Sequence, residues 1–383
     1  RAAIAEADKG ETTQTEESES QAFTSGALGL QALNPEISIS GDVLGSYVPD
    51  ASERPESDFL FRSLGLHLES YLDPYSRFKA ALPFNDEGAE LEEAYFTRFG
   101  VVPDVNVTLG KFRQQFGVVN RWHKHGLDQV DHPTALRMIF GDEGLNQTGA
   151  SAEWTMPDLA GFSQETVLQV TDGSNDRVFG QNEENIPSGL LHYRLYRDLS
   201  PATYAELGGT ALYGQNNEWQ VGEEFVDKTR GTWVFGADFS VVWEPTDQMR
   251  YRNLVWRSEA YALNKDIVAP DGSGGDDIES WGIYSYLESQ VSRTLVLGLR
   301  WDYFEPDAKE YAAMEGVDLA PLVFADDNAY LWQLSPYITW YQSPFVHFRF
   351  QYERTEGDSM PMDEDVFWLQ CIFAAGPHKH ERY

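Results

Sequence analysis

Cysteine occurs once, at Cys371, which excludes an intramolecular disulfide framework and a multi-cysteine zinc module. Basic residues are scarce: 28 Lys and Arg stand against 62 Asp and Glu, a formal net charge of −34. That shortage argues against nucleic acid as a partner, because a polyanion is held by cationic patches. Long apolar runs are missing too. A transmembrane helix needs about eighteen or more consecutive apolar residues. None occurs in the 383-residue chain, so a bundle of such helices is excluded. There is no G-x-S-x-G, no H-E-x-x-H and no P-loop, so no catalytic signature stands out. What the chain does contain is 42% hydrophobic residues, with 11 Trp, 19 Tyr and 22 Phe. A disordered acidic protein lacks that complement. One membrane architecture passes all of these tests: the β-barrel, whose strands are short, alternating and only half apolar.

Residues 1–35 are rich in Glu, Ser, Thr and Gln (GETTQTEESESQ) and read as a flexible acidic lead-in, periplasmic if the rest is a barrel. From Glu36 onward, alternating segments of about ten residues are joined by short turns and long polar loops in turn. In TWVFGADFSVVW, Trp233, Phe235, Ala237, Phe239, Val241 and Trp243 share one parity, and Thr232, Val234, Gly236, Asp238, Ser240 and Val242 share the other. Successive side chains of a strand point to opposite faces, so one face is wholly apolar and bracketed by Trp. TLVLGLRWDYF and FVHFRFQYE repeat the pattern. About sixteen strands are expected, near 36–48, 59–72, 75–84, 90–99, 104–115, 148–156, 164–171, 188–197, 202–213, 231–243, 249–262, 278–290, 293–304, 329–341, 345–353 and 365–375. Every second connection is short, as at Asp73-Pro74, Pro103-Asp104, Ser292-Arg293 and Ser343-Pro344, and the others are long and acidic. A soluble sandwich has no reason to sort its loops this way, whereas outer-membrane barrels have short periplasmic turns and long external loops. The expected fold is all-β: a transmembrane antiparallel barrel over 36–376, with a long loop at 117–147 folded into the lumen and a charged tail at 377–383. Eight strands are filled by their own side chains, whereas sixteen leave an aqueous channel.

The stretches LNPEISISGDVLG, LGKFRQQFGVVNRWHKHGLDQVDHP, FGDEGLNQTG and FWLQCIFAAGPHKH resemble sixteen-stranded bacterial porins of the general and phosphate-selective type. They are most similar to a porin-like group labelled zinc-regulated outer-membrane receptors. The resemblance implies an outer-membrane channel of a Gram-negative bacterium, commonly a homotrimer, with one loop folded inward. Two features depart from it. The alternation of Phe367, Leu369, Cys371 and Phe373 stops near Ala375, ahead of the charged tail. A phosphate-selective lumen must also be cationic, and this chain's charge argues against that substrate.

Seven histidines and carboxylates mark the inward loop: His123, His125, Asp128, Asp131, His132, Asp142 and Glu143. Imidazole and carboxylate suit Zn²⁺ and Cu²⁺, with His123, His125, Asp128 and His132 as the candidate ligands. No spacing among them fixes a geometry, and polar buttressing of a loop in a wet barrel is the plainer reading. TALRMIF, residues 134–140, reads as a short helix, after which Asp142 and Glu143 stand either at a constriction or in a solvated turn. A lipid-facing Arg or Lys near the bilayer midplane costs about 2–4 kcal/mol. Arg77, Lys79, Lys111, Arg113, Arg257, Arg300 and Arg349 are therefore expected to line the pore, opposite Glu69, Glu153, Glu206, Asp238, Glu259 and Asp302. Lys111 and Arg113 share their parity with Val107 and Leu109, which leaves their direction open. The acidic external loops, Glu305 to Asp327 and Glu353 to Asp365, either hold Ca²⁺ and bridge lipopolysaccharide or are simply soluble. The expected function is passive diffusion of small hydrophilic solutes or ions with a modest cation preference, no enzyme and no resident cofactor. The competing readings are a metal-uptake channel, an outer-membrane hydrolase and a scaffold barrel.

Overall fold

The computed structural model describes residues 36–376 apart from 50–55, 87, 181–185, 217–219, 222–223, 226–229, 249–250, 272–273, 315–316, 318 and 359–363. The lead-in, the tail and the His378/His380 pair lie outside the described residues. Sixteen long strands follow one another: β1 (Glu36–Tyr47), β2 (Ser57–Asp73), β3 (Ser76–Asn85), β4 (Glu93–Val102), β5 (Val105–Arg113), β6 (Asn146–Leu159), β7 (Phe162–Thr171) and β8 (Ser188–Ser200) make the first half. The second half is β9 (Thr203–Asn216), β10 (Arg230–Trp243), β11 (Asn253–Val268), β12 (Gly275–Gln290), β13 (Leu295–Glu305), β14 (Tyr330–Ser343), β15 (Val346–Asp358) and β16 (Glu364–Ala375). Each pairs antiparallel with the next, and β1 pairs with β16 from Ile39↔Ala375 to Tyr47↔Phe367. The sheet closes on itself and leaves no edge. That is the all-β barrel expected from the alternation.

β14 displays the physical cause. Leu331, Gln333, Ser335, Tyr337 and Thr339 are buried inside, while Tyr330, Leu334, Ile338 and Trp340 are exposed outside. An outer face of exposed Leu, Ile, Phe and Trp is stable only against lipid, and Trp154, Trp233, Trp243, Trp256, Trp281, Trp301 and Trp340 all lie on it. No helix among the described residues is long and apolar enough to cross a membrane. Several strands outrun their expected ends: β15 continues to Asp358 and β12 begins at Gly275. Paired ladders extend past the apolar band into the external loops, where alternation in the sequence fades.

The chain leaves the wall after Arg113 and re-enters it at Asn146. In between it crosses the lumen, carrying the helix α1 (Thr134–Phe140). The following long connection adds a second short helix, α2 (Asp176–Phe179), capped by Asn175, whose Oδ1 accepts the Val178 N–H at 3.0 Å. An apolar core therefore sits inside the barrel. Phe116, Leu136, Ile139 and Phe140 of the inward segment meet Val178 and Phe179 of α2 and the wall residues Leu212, Val234, Tyr261, Tyr284 and Phe304. Ala135 of α1 approaches the wall at Gly282, where a Cβ would stand 2.7 Å from the Ala135 Cβ.

Candidate functional site

The inward segment is bound to the wall by buried polar groups. Glu259 of β11 accepts the N–H groups of Val118 (3.1 Å) and Val119 (3.0 Å) and the hydroxyls of Tyr261 and Tyr284 (2.7 Å each). Gly117 makes the sharp entry, with φ +58°, and a Cβ there would lie 2.2 Å from Glu259 Oε2. Arg349 donates to the carbonyls of Gln129 (2.9 Å) and Leu127 (2.8 Å). Arg300 donates to the Asp131 carbonyl (2.8 Å) and carboxylate (3.0 Å), and its Nε to Asp302 (2.7 Å). Asp302 in turn accepts the Thr134 N–H at 2.8 Å, at the start of α1. Arg62 donates to the Val130 carbonyl at 2.6 Å and pairs with Asp42. Arg257 donates to Ser240 Oγ (2.9 Å) and lies over the Trp122 ring at 4.7 Å.

These placements correct the expected pore lining. Arg257, Glu259, Arg300, Asp302 and Arg349 do point inward, but the segment covers them, and Arg300 and Asp302 are 0% exposed. They are anchors. Asp238 is also buried, leaning over Gly208 with neither carboxylate oxygen hydrogen-bonded. Alternation reports which face a side chain takes, not what packs against it. Lys111 is a second correction. It pairs in register with Ala94, out of phase with the buried Tyr95 and Thr97, so it points outward. Its Nζ donates to the Leu91 carbonyl at 2.8 Å, at the loop end of the strand. Arg113, where the chain leaves the wall, is buried and donates to Glu92 Oε1 and, at 2.8 Å, to the Glu143 carbonyl. Asp142 and Glu143 are exposed in the turn after α1, Glu143 beside Lys124 at 2.6 Å.

Of the expected metal ligands, His123 and His125 stay together, their rings stacked with centroids 5.5 Å apart, while Asp128 and His132 turn to other partners. His123 lies between two carboxylates, Glu92 at 2.8 Å and Glu93 at 3.0 Å. Burial alone would depress its imidazole, but those carboxylates outweigh burial and raise it to about 9. Glu92, against the desolvation that would raise it, is held well below the usual carboxylate range by His123 and Arg113. His132 is kept neutral by burial, reinforced by Arg113 and Lys124, and its Nε2 donates to the Trp122 carbonyl at 3.1 Å. Asp128 accepts the Tyr286 hydroxyl at 2.9 Å. His67 of β2, not foreseen, brings its ring centroid within 5.4 Å of His123 and 5.0 Å of His125. Its inward parity was readable; its partners, some 56 residues along the chain, were not. Among the described residues no group of three or more His, Cys, Asp or Glu side chains converges as metal donors would.

Of the external carboxylates, Asp276 takes Lys309 Nζ (3.2 Å) and Tyr311 Oη (2.9 Å), and Asp365 takes Tyr352 Oη and Arg354. Asp363 lies outside the described residues.

Inward charges that keep contact with water lie on the other wall. Arg77 meets Glu69 at 3.5 Å, and Lys79 is 3.9 Å from Glu93. Arg194 forks onto both Glu165 oxygens at 2.9 Å and stands 3.6 Å from Glu206. Glu153 takes Asn106 Nδ2 at 3.3 Å. From the segment, Arg121 donates to Gln115 Oε1 at 2.8 Å.

A closed sixteen-strand barrel with a polar interior and a segment folded across it defines a class, the outer-membrane β-barrel of porin type. Solved structures of that fold superpose over most of the chain. The outer-membrane channel DcaP of Acinetobacter baumannii matches with a TM-score of 0.59 at 12% identity, over 89% of this chain and 97% of that one. The anion-selective porin of Comamonas acidovorans gives 0.57 at 10% identity, over 90% and 99%. The trimer form of OmpT from Vibrio cholerae gives 0.55 at 10% identity, over 89% and 99%. The protein thus has the fold of outer-membrane porins. In sequence, it is 33% identical over 115 residues to an uncharacterized protein of Aquifex aeolicus (strain VF5), covering 30% of this chain and 24% of that protein's length. No family model matches.

Proposed function

We propose that the protein is an outer-membrane channel for passive diffusion of small hydrophilic solutes and ions, with a modest cation preference and no enzymatic step. The observation that carries this reading is the crescent of partly exposed charged side chains inside a closed sixteen-strand wall, from Glu69 and Arg77 round to Glu165 and Arg194. A wall of that circumference is too wide for its own side chains to fill. The inward segment narrows the lumen from one side and leaves the crescent as the polar route. Apolar solutes are disfavoured there, because each would have to displace water from ionised groups. Assembly as a trimer, as in the OmpT form, and contact of the acidic external loops with lipopolysaccharide cations belong to the same proposal.

Single-channel recording in planar bilayers tests the reading. Stepwise conductance increments in KCl are the expected result. Folded protein that gives none would leave a scaffold or hydrolase barrel. Conductance blocked by low concentrations of Zn²⁺ would move the reading toward metal uptake through the His123 region, as the zinc-regulated group would suggest.

A further inference from the structure

The inward segment covers the wall unevenly. On β11, β13 and β15, Glu259, Arg300, Asp302 and Arg349 are at most 3% exposed. On β2, β3, β7 and β8, the side chains of Glu69, Arg77, Glu165 and Arg194 keep 14–18%. Solutes therefore pass between the segment and the wall that runs from β2 to β9. The charge of this wall differs from that of the lumen as a whole. Four of the lumen's guanidinium groups, on Arg62, Arg113, Arg300 and Arg349, are turned onto the inward segment. A fifth, on Arg257, is stacked on Trp122. What remains along the crescent is Glu69, Glu93, Glu153, Glu165 and Glu206 against Arg77, Lys79 and Arg194.

Resting on the channel reading above, we propose that Glu153 and Glu165 of the crescent set the ion selectivity of the protein, with Arg121 of the inward segment acting against them. Arg77 is matched by Glu69, and Arg194 is shared between Glu165 and Glu206. Glu153 meets a neutral amide, and among the described residues no ion pair engages it. Its charge is thus the least compensated on the path. Arg121 lies close enough to Glu165 for their charges to interact, and with His123 at Glu93 it is one of the cations that the segment presents to this wall. A permeating cation passes within contact distance of Glu153 and Glu165, so bulk salt does not screen them as it screens the distant loops. At 1 M ionic strength the Debye length is still about 3 Å. The preference they create survives at high salt.

The test is the reversal potential across a KCl gradient for wild type, Glu153→Gln and Arg121→Gln, each checked for the folded barrel by heat-modifiable gel migration. Gln at 153 retains an acceptor for Asn106. Glu153→Gln should lower the K⁺/Cl⁻ permeability ratio by about twofold or more, and Arg121→Gln should raise it. Movement of the two variants in opposite directions is the signature. Conducting variants whose reversal potentials match wild type would overturn the assignment and leave the channel reading standing. A wild-type protein that does not conduct would remove both.

Discussion

Glu259 gathers four donors, two from the inward segment and two from the wall, and so fixes where the chain enters the lumen. Hydrogen bonds to a charged group contribute about 1.5–3 kcal/mol each when buried. Glu259→Gln keeps the shape but removes the charge: its amide oxygen can still hold the Val118 and Val119 N–H groups, while its NH2 replaces the oxygen that accepts from Tyr261. The variant should unfold at a lower temperature in heat-modifiable migration and show larger or noisier conductance, as the segment entry loosens. Conductance and stability identical to wild type would mean that the segment is held elsewhere. His123 makes the second clamp, and its sign is fixed by its environment. Glu92 and Glu93 raise it from 6.5 to about 9, so its ion pairs stabilise the fold fully below pH 6.5. That contribution falls away as pH rises through 9. His123→Gln should accordingly be less heat-stable than wild type at pH 6, and the gap should close above pH 9. A gap that stays constant across this range would remove the charged clamp.

At the scale of elements, strands and α1 were legible because their signals are local. TWVFGADFSVVW sorts its side chains by parity within twelve residues, and TALRMIF became α1 at the expected residues. α2 has four residues, too few for any periodicity to announce it. The coverage of the lumen wall was not legible either, because it depends on contacts such as Arg349 with Leu127, 222 residues apart in the chain. Lys111 failed for a different reason. The cost of a lipid-facing Lys applies near the bilayer midplane, whereas Lys111 stands near the loop end of β5, where its Nζ reaches the Leu91 carbonyl. The docking of α1 is open to a direct check at Gly282. A Cβ there meets Ala135 Cβ at 2.7 Å and the Tyr303 carbonyl at 2.8 Å. Overpacking of this kind costs about 1–3 kcal/mol. Gly282→Val should lower the unfolding temperature and disturb conductance together, while Gly189→Val, with nothing within 4 Å, should change neither.

At the scale of the whole molecule, the proposed channel has two sets of charge that would act on a permeating ion from different distances. On the proposed route the crescent carboxylates lie on the path. Among the described residues, the external loop from Glu305 to Asp327 carries Glu305, Asp307, Glu310, Asp326 and Asp327 against Lys309, out at the mouth. Clefts lined by one sign of charge concentrate the counter-ion, but only within reach of their field. That reach is about 10 Å at 0.1 M salt and about 3 Å at 1 M. The loops should therefore add to cation preference at low salt and drop out at high salt, leaving the crescent's share. The K⁺/Cl⁻ permeability ratio is expected to fall as salt rises and then level off above one. Asp326→Asn with Asp327→Asn should lower the ratio at low salt and leave the high-salt plateau unchanged, whereas Glu153→Gln should lower the plateau itself. A ratio that decays fully to one would assign all selectivity to the loops. A ratio below one at low salt would mean that the net charge of −34 does not govern the mouth, and that Arg77, Lys79 and Arg121 dominate the route instead.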